Sequence, residues 1–228
     1  MRLYIVYGSE SSILENIYNN KSYFIRIYNK SIPEIKKNCT DISIQTIQKT
    51  KLEIKNIILK HDISKLIFIG SGFYSENKIF ASLTEEEIST SNNTNIINYQ
   101  NILQQIIKNT PAKFEKILIY LSSFRSNSPT TGATLYSASK AYGEILFKSL
   151  AYEYSMFNLR TFSIRMGFFE GRMKNAFNEV KINSIKKNIS LKRFGRSEEL
   201  IDTIELIIKN KYLSGGVIEI NGGLKVSL

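Results

Sequence analysis

The 228-residue sequence predicts an α/β fold, a doubly wound parallel sheet with helices on both faces. Short runs of β-branched and aromatic residues alternate along the chain with longer segments of helical periodicity. Several runs end in a glycine or serine, residues that suit the ligand crevice beyond the carboxyl ends of parallel strands. No linker, repeat or low-complexity tract interrupts the alternation, so one domain covering residues 1–228 is expected.

The predicted strands are short apolar runs bounded by turn residues. Six are predicted at Leu3–Tyr7, Tyr23–Tyr28, Lys65–Ile69, Lys116–Leu121, Leu159–Arg165 and Val217–Ile220, and a seventh is predicted to end at Lys36–Cys39. Because the carboxyl ends of parallel strands share one edge of the sheet, the residues that follow them are expected to surround one site. These residues are Gly8, Gly72, Ser123 and Gly167.

The predicted helices carry apolar residues at intervals of three and four positions. They are Ile13–Asn20, Ile44–Leu59, Asn95–Lys108, Ser137–Ser155 and Glu198–Lys209. A further helix is expected to begin after Thr84, where the threonine caps the helix and Glu87 completes a capping box. Alternation of these helices with the strands requires helices on both faces of the sheet.

Composition predicts a globular cytoplasmic protein. Hydrophobic residues make up 43% of the chain and charged residues 22%, as in ordinary folded domains. No run approaches the ~18 apolar residues of a membrane helix, and the first residues lack the pattern of a signal peptide. The single cysteine, Cys39, excludes an internal disulfide. With one cysteine and one histidine, His61, a zinc site is not expected.

The net charge of +11 would attract nucleic acid, an acidic carrier protein or a phosphate-bearing small molecule. The lysines are spread along the whole chain, and neither a long basic run nor a basic-aromatic module is present. A coding bias explains them equally well. Nucleic acid is therefore not expected as a partner, and neither is membrane insertion.

One segment carries most of the chemical information. Ser123 lies just past an apolar run, Tyr136 follows thirteen positions later, and Lys140 four positions after that. If Tyr136 opens a helix, Lys140 projects from the same face one turn later. A phenol beside an ammonium has a lowered pKa, which suits it to give a proton to a carbonyl near neutral pH. Ser123 would hold the carbonyl oxygen as negative charge develops on it.

The spacing of tyrosine and lysine is weak evidence alone, because Tyr74 and Lys78 repeat it. A tyrosine on a helix is more often a half-buried packing residue. The later pair differs in having a serine at a strand end upstream, small residues between its members and a long predicted helix after it. This combination resembles the short-chain dehydrogenase/reductase family, in its single-domain, Rossmann-like type that includes 3-oxoacyl-[acyl-carrier-protein] reductases.

The resemblance runs from the first strand to the C-terminus and implies a catalytic set of Asn, Ser, Tyr and Lys. Ser123, Tyr136 and Lys140 match the last three members. Asn95 matches the asparagine, with Asn92 and Asn93 as nearby competitors. The segments 191–200 and 215–223 resemble the closing helix and the glycine-ended last strand of the family.

The family also implies a nicotinamide cofactor. Its contacts are expected, by resemblance, at Gly8, Ser9, Ser12, Ile13, Lys30, Asn38, Cys39, Gly70, Ser71, Gly72, Tyr136, Lys140, Gly167 and Phe169. After the second strand, residues 28–31 contain a lysine and no acid, which favours NADP(H) over NAD(H), although Lys30 could equally be a solvated lysine. Asn38 and the backbone of Cys39 are expected near the adenine.

The glycine motif that normally binds the pyrophosphate is degenerate. Where the family has Thr-Gly-x-x-x-Gly-x-Gly, residues 7–14 read Tyr-Gly-Ser-Glu-Ser-Ser-Ile-Leu, so only Gly8 is kept. Ser12 offers a hydroxyl that could bind a phosphate, whereas Glu10 adds unfavourable negative charge. Leu14 must either push the following helix outward or turn aside.

The resemblance implies an NAD(P)H-dependent oxidoreductase that reduces a ketone, or oxidises the alcohol, by hydride transfer, with a 3-oxoacyl or polyketide substrate that is free or bound to a carrier protein. Lys140 would also hold the nicotinamide ribose, and Asn95 a water of the proton relay. Two alternatives stay open: a non-redox scaffold or interaction subunit, and an enzyme of sugar or other secondary metabolism. Family members assemble as homodimers or homotetramers through the tyrosine-bearing helix. Residues 170–190 are expected to form a substrate lid, with Phe168, Phe169 and Phe177 lining a pocket or the core.

Overall fold

A computed structural model of the chain describes residues 2–8, 12–18, 22–28, 38–43, 47–60, 63–70, 77–171 and 177–225. Within these ranges seven strands form one sheet in the order β3-β2-β1-β4-β5-β6-β7, and every neighbouring pair is parallel. The strands are β1 Arg2–Tyr7, β2 Ser22–Tyr28, β3 Cys39–Ser43, β4 Lys65–Gly70, β5 Glu115–Ser123, β6 Leu159–Met166 and β7 Gly216–Ile220. The strand order reverses between β1 and β4, which makes the sheet doubly wound.

Six α-helices are described. They are α1 Ile47–Lys60, α2 Glu85–Asn92, α3 Asn98–Asn109, α4 Thr134–Glu153, α5 Glu179–Asn188 and α6 Ser197–Lys209. A π-helical turn, Asn93–Ile97, joins α2 to α3. A 3₁₀ helix, Ser12–Ile17, follows β1, and short 3₁₀ turns follow β5 and α4. In the described ranges no helix is long and apolar enough to cross a membrane.

Both faces of the sheet are buried, which explains why the strands read as continuous apolar runs. Successive residues of β1 point to opposite faces: Leu3 and Ile5 pack with α1, α3 and α4, whereas Tyr4 and Val6 pack with the first 3₁₀ helix and α6. The predicted α/β fold with helices on both faces is therefore confirmed. The capping box is also present, because Thr84 Oγ1 accepts from Glu87 N at 3.2 Å and Thr84 N donates to Glu87 Oε2 at 3.0 Å.

Two element predictions are wrong. The helix predicted at Ile13–Asn20 is a 3₁₀ helix that ends at Ile17, and its Leu14 is fully buried in the core. The third strand begins at Cys39 instead of ending there. Asp41, an exposed residue of this edge strand, accepts two hydrogen bonds of 2.7 Å from the buried Arg26 of β2.

Helix α4 lies unusually close to β5 at one point, where it carries a glycine. A Cβ atom on Gly143 would lie 2.2 Å from Cζ of the Tyr120 ring, and Tyr120 is buried. No real Cβ contact is that short, so α4 and β5 can approach this closely only with glycine at position 143. The glycine therefore lets α4 pack directly on the Tyr120 ring of β5.

Gly143→Ala is therefore expected to destabilise the protein by about 1–3 kcal/mol, the cost of overpacking a core. In an exposed helix the same change stabilises by up to about 1 kcal/mol, so the sign itself is diagnostic. Urea unfolding followed by circular dichroism measures the difference. Lys148→Ala, at an exposed position of the same helix, is the control and is expected to change stability by less than about 0.5 kcal/mol. A stabilised Gly143→Ala variant would contradict the close approach.

Candidate active site

The strand ends that the sequence indicates lie next to one another. Tyr7 pairs with Gly70 across β1 and β4, Gly70 pairs with Tyr120 across β4 and β5, and Ser123 pairs with Met166 across β5 and β6. The structure thus brings Gly8, Gly70, Ser123 and Gly167 to one edge of the sheet. In doubly wound sheets this edge is where ligands bind.

Ser123 and Tyr136 meet at the end of β5. Ser123 is the last residue of the strand, and its Oγ accepts from the backbone N–H of Arg125 at 3.3 Å. Tyr136 is the third residue of α4, is 6% exposed, and its hydroxyl shares a hydrogen bond with the side chain of Ser123. A serine and a phenol joined in this way form a hydrogen-bonding pair that a carbonyl oxygen can enter.

Lys140 lies one helical turn after Tyr136 and is also buried. Its Nζ donates to the backbone carbonyl of Leu121 at 2.9 Å, which ties α4 to the strand that carries Ser123. The same Nζ lies 5.5 Å from the centroid of the Tyr136 ring and 4.9 Å from that of Tyr120. The expected placement of tyrosine and lysine on one helix face is present.

The expected lowering of the tyrosine pKa is wrong for this structure. Burial raises the pKa of Tyr136 to about 12, and the hydrogen bond with Ser123 and the charge of Arg125 offset only part of that rise. Burial also lowers the pKa of Lys140 to about 7, against a partial opposing effect of Glu144. The lysine therefore loses much of its charge near neutral pH, and desolvation outweighs the proximity argument made from spacing.

Arg125 is a residue at this site that sequence reasoning missed. Its guanidinium carbon lies 6.0 Å from the centroid of the Tyr136 ring and 5.9 Å from that of Phe124. Its positive charge lowers the pKa of Tyr136, the role expected of Lys140. Its position two residues after Ser123 is the feature of the sequence that could have indicated a place at this site.

Asn95 lies inside the π-helical turn and is 2% exposed, whereas Asn92 and Asn93 are exposed. Its Nδ2 donates to Ser91 Oγ at 3.4 Å. The turn packs against α4, the helix of Tyr136 and Lys140. π-helical turns inside α-helices are often found at functional sites because they redirect one side chain. Of the three candidate asparagines, the structure buries only Asn95.

The part of the site expected to bind the cofactor phosphates, here called the phosphate end, differs from the family pattern. Gly8 has a left-handed backbone with φ of 80°, and its N–H donates to Ile27 O at 3.0 Å. Leu14 turns inward, and the carbonyl of Ile13 accepts from Ser197 Oγ of α6 at 2.7 Å. The leucine is therefore accommodated by packing and not by an outward shift of a regular helix. The site residues Ser9, Lys30, Ser71 and Gly72, and the Ser12 side chain, lie outside what the structure describes.

The adenine contacts expected at Asn38 and Cys39 are misplaced. Asn38 is an exposed turn residue with φ of 59°, and Cys39 pairs with Phe24, near the amino end of β2. Both lie at the amino end of β3, away from the edge that carries the site. The carboxyl end of β3 is instead formed by Ile42 and Ser43. The error follows from the misjudged boundary of β3 described above.

The segment after β6 lies over the same edge. Gly167 N donates to Ile220 O at 3.0 Å, and a Cβ at Gly167 would lie 2.7 Å from Asn221 Cα. Phe169 is buried against Gly195. The Phe168 ring lies between the rings of Phe124 and Phe194, with centroid separations of 5.3 and 6.0 Å. Beneath α5, a small apolar cluster contains Phe168, Phe177, Ile182, Ile185, Ile189, Phe194 and Leu224.

A titration of the cofactor-free protein tests the electrostatics of the site. With [13Cε]lysine, NMR is expected to show one lysine that titrates with a midpoint near pH 7, absent in Lys140→Met. The unfolded chain holds this proton up to about pH 10.5, so this lysine makes the stability of the wild type rise with pH between about 7 and 10. The stability advantage of Lys140→Met should shrink over the same range. A spectrum in which every lysine titrates above pH 9 would refute the lowered pKa.

Comparison with known proteins agrees with this geometry. A family model described as Enoyl-(Acyl carrier protein) reductase matches residues 61–225. The chain is 27% identical over 183 residues to carbonyl reductase family member 4 of Xenopus laevis, which covers 80% of this chain and 74% of that protein. It is 25% identical over 187 residues to the 3-oxoacyl-[acyl-carrier-protein] reductase FabG of Buchnera aphidicola, covering 80% and 75%.

Two solved structures share the fold. A short chain dehydrogenase family protein from Francisella tularensis and 4-hydroxyisoleucine dehydrogenase complexed with NADH each have a TM-score of 0.82 and 17% identity. Each comparison covers 98% of this chain and 98% of the other. At this identity the solved structures show the fold alone. The family model, which spans more than half of the chain, shows the family. The chain belongs to the short-chain dehydrogenase/reductase family.

Proposed function

We propose that the chain reduces a ketone by hydride transfer from NAD(P)H, with Tyr136 as the proton donor. The observation that carries the proposal is the buried group of Ser123, Tyr136 and Lys140, gathered at the carboxyl end of β5. The substrate we favour is a 3-oxoacyl or polyketide-type ketone, because the similar proteins include 3-oxoacyl-[acyl-carrier-protein] reductases and an acetoacetyl-CoA reductase. The net charge of +11 suits substrates on an acidic carrier.

The residues at the nicotinamide end fit the cofactor. Lys140 offers a buried donor beside Tyr136, at the strand end where Gly167 packs closely against Asn221. At the phosphate end Gly8 keeps its left-handed turn, but a six-residue 3₁₀ helix replaces the regular helix whose N-terminus favours phosphate. We therefore expect the cofactor to bind, with an affinity reduced at the phosphates.

The bound cofactor supplies the hydride that the carbonyl carbon receives. Ser123 holds the carbonyl oxygen, and Tyr136 Oη gives that oxygen its proton, so the ketone gains one hydride and one proton. A tyrosine with a pKa of about 12 is protonated at neutral pH, the state that reduction needs and oxidation does not. Arg125 and the protonated fraction of Lys140 stabilise the phenolate left behind, and Asn95 is the candidate anchor for the water that returns the proton.

The family's usual assembly stays a prediction for this chain. Helix α4 and the turn after it carry several exposed apolar side chains, including Ile145, Tyr152 and Met156. Exposed apolar side chains gathered on one helix are typical of an interface. We propose a homodimer or homotetramer that uses this helix. A cytoplasmic location likewise rests on the sequence alone.

A second function is favoured by one observation, the altered phosphate end. Leu14 occupies the core where a glycine would let helix and strand pack closely, so the chain could retain the fold as a non-redox scaffold. Such a protein would not bind NADPH or NADH at millimolar concentration. The buried polar groups at Ser123, Tyr136 and Lys140 argue against it, because burying them without a use costs stability.

Tyr136→Phe is expected to reduce turnover of acetoacetyl-CoA about a hundred- to ten-thousandfold, because no other group replaces the phenolic proton. Binding of NADPH, followed by its fluorescence, should stay within about twofold of the wild type. Tyr142→Phe, on an exposed position of the same helix, is the matched control and should retain full activity. Turnover by Tyr136→Phe at the wild-type rate would refute the assignment.

NADPH is expected to bind more tightly than NADH, with dissociation constants measured by fluorescence titration. Lys30→Ala should weaken NADPH binding about tenfold and leave NADH binding unchanged, since only NADPH carries the 2′-phosphate. Lys187→Ala, an exposed lysine near the end of α5, controls for loss of net charge. Equal effects of Lys30→Ala on both cofactors would refute the contact, and no binding of either would favour the scaffold.

A further inference from the structure

A buried carboxylate lies directly beneath the candidate catalytic residues. Glu144 is on α4, one turn after Lys140, and is 8% exposed. Its Oε1 accepts from Ser122 Oγ at 2.5 Å and from Ser126 Oγ at 2.6 Å. These are short, charge-assisted hydrogen bonds, the stronger class in proteins. One carboxylate therefore holds both ends of the segment that contains Ser123 and Arg125.

Arg165 holds the carboxylate in turn. From β6, its Nη2 donates to Glu144 Oε2 at 2.7 Å and its Nε to Oε1 at 3.1 Å. Its Nε also reaches Ser126 Oγ at 2.9 Å, and its Nη1 pairs with Glu219 of β7. The cluster Ser122, Ser126, Glu144, Arg165 and Glu219 thus connects β5, the 3₁₀ turn after it, α4, β6 and β7.

Stability does not explain the cluster. Burying an ion pair costs solvation that the attraction between the charges often fails to recover, and apolar replacements of similar volume are frequently as stable. Burial opposes ionisation of Glu144, yet hydrogen bonds from Arg165, Ser122 and Ser126 lower its pKa, so it is charged at neutral pH. A fixed, ionised acceptor gives directional hydrogen bonds, which apolar packing cannot give.

The geometry points to Glu144 as a positioning residue: held by Arg165, it clamps Ser122 and Ser126 and so fixes Ser123 relative to Tyr136 and Lys140 on its own helix. This inference rests on the proposed reduction, in which Ser123 and Tyr136 must both be in hydrogen-bonding position to the same carbonyl oxygen. Glu144 itself touches neither substrate nor cofactor in this role.

Glu144→Gln tests the clamp while keeping the side-chain shape. With acetoacetyl-CoA and NADPH, kcat is expected to fall about 10- to 100-fold, the range produced by a misplacement of roughly 1 Å, whereas KM for NADPH stays within about twofold. Glu115→Gln is the matched control. Glu115 also pairs with an arginine of β6, Arg160 at 3.0 Å, and with Lys65 at 2.7 Å, but at the amino end of β5. The Glu115→Gln variant should have a lower melting temperature and an unchanged kcat.

Ser122→Ala and Ser126→Ala test the clamp without altering a charge, and guard against failure of Glu144→Gln to fold. Each should lower kcat by several-fold. The triple variant Ser122→Ala, Ser126→Ala and Glu144→Gln should have a kcat no lower than that of Glu144→Gln alone, because the serines act through the same carboxylate. Additive losses in the triple variant would overturn the inference, as would a Glu144→Gln variant with lowered melting temperature and wild-type kcat.

A measurement without substrate separates this inference from the proposed function. In [13Cζ]tyrosine spectra, assigned with Tyr136→Phe, the Tyr136 signal should shift in Glu144→Gln and in the double serine variant, but not in Glu115→Gln. An inactive wild type with these shifts would refute the reductase and keep the clamp. An unshifted Tyr136 signal in both test variants would refute the clamp whatever the activity.

Discussion

The close approach of α4 to β5 is the constraint on which the site depends. Gly143 lies against the Tyr120 ring, where a Cβ would collide, so the helix can lie this close to the ring only with glycine at that position. Residues 136, 140 and 144 share one face of the helix. Tyr136 meets Ser123, Lys140 reaches the Leu121 carbonyl, and Glu144 reaches the serine before the strand end. A helix farther from the strand would lose all three contacts together.

Bringing these groups so close also buries them, and burial sets their ionisation. Lys140 and Tyr136 both shift towards their neutral forms, because neither finds enough compensating charge in the cofactor-free protein. Glu144 stays ionised because hydrogen bonds from Arg165 and two hydroxyl groups outweigh the desolvation cost of its charge. The site therefore combines a protonated phenol beside Ser123 with an ionised carboxylate one helical turn after Lys140.

The sequence predicted those parts that local pattern determines. Strands buried on both faces read as apolar runs, the Thr84 cap needs only its own neighbours, and a spacing of four places Tyr136 above Lys140. It could not predict features that depend on a distant partner. The pairing of β3 with β2 includes the hydrogen bonds that Arg26 donates to Asp41, 15 positions away, and the role of Glu144 depends on Arg165, 21 positions away. The pKa direction was wrong because burial, not spacing, decides it.

The two halves of the site are built on different parts of the core. Tyr136, Lys140 and Ser123 depend on α4 and β5, whereas the phosphate end depends on β1 and on Leu14, which packs with α6. The two halves share the sheet and its core clusters, but Leu14 packs with α6 whereas Tyr136 and Lys140 lie on α4. Loss of the second and third glycines can therefore weaken the hold on the cofactor without moving the proton donor. For this reason affinity for the cofactor and rate of the chemical step are separate properties of this chain, and each must be measured on its own.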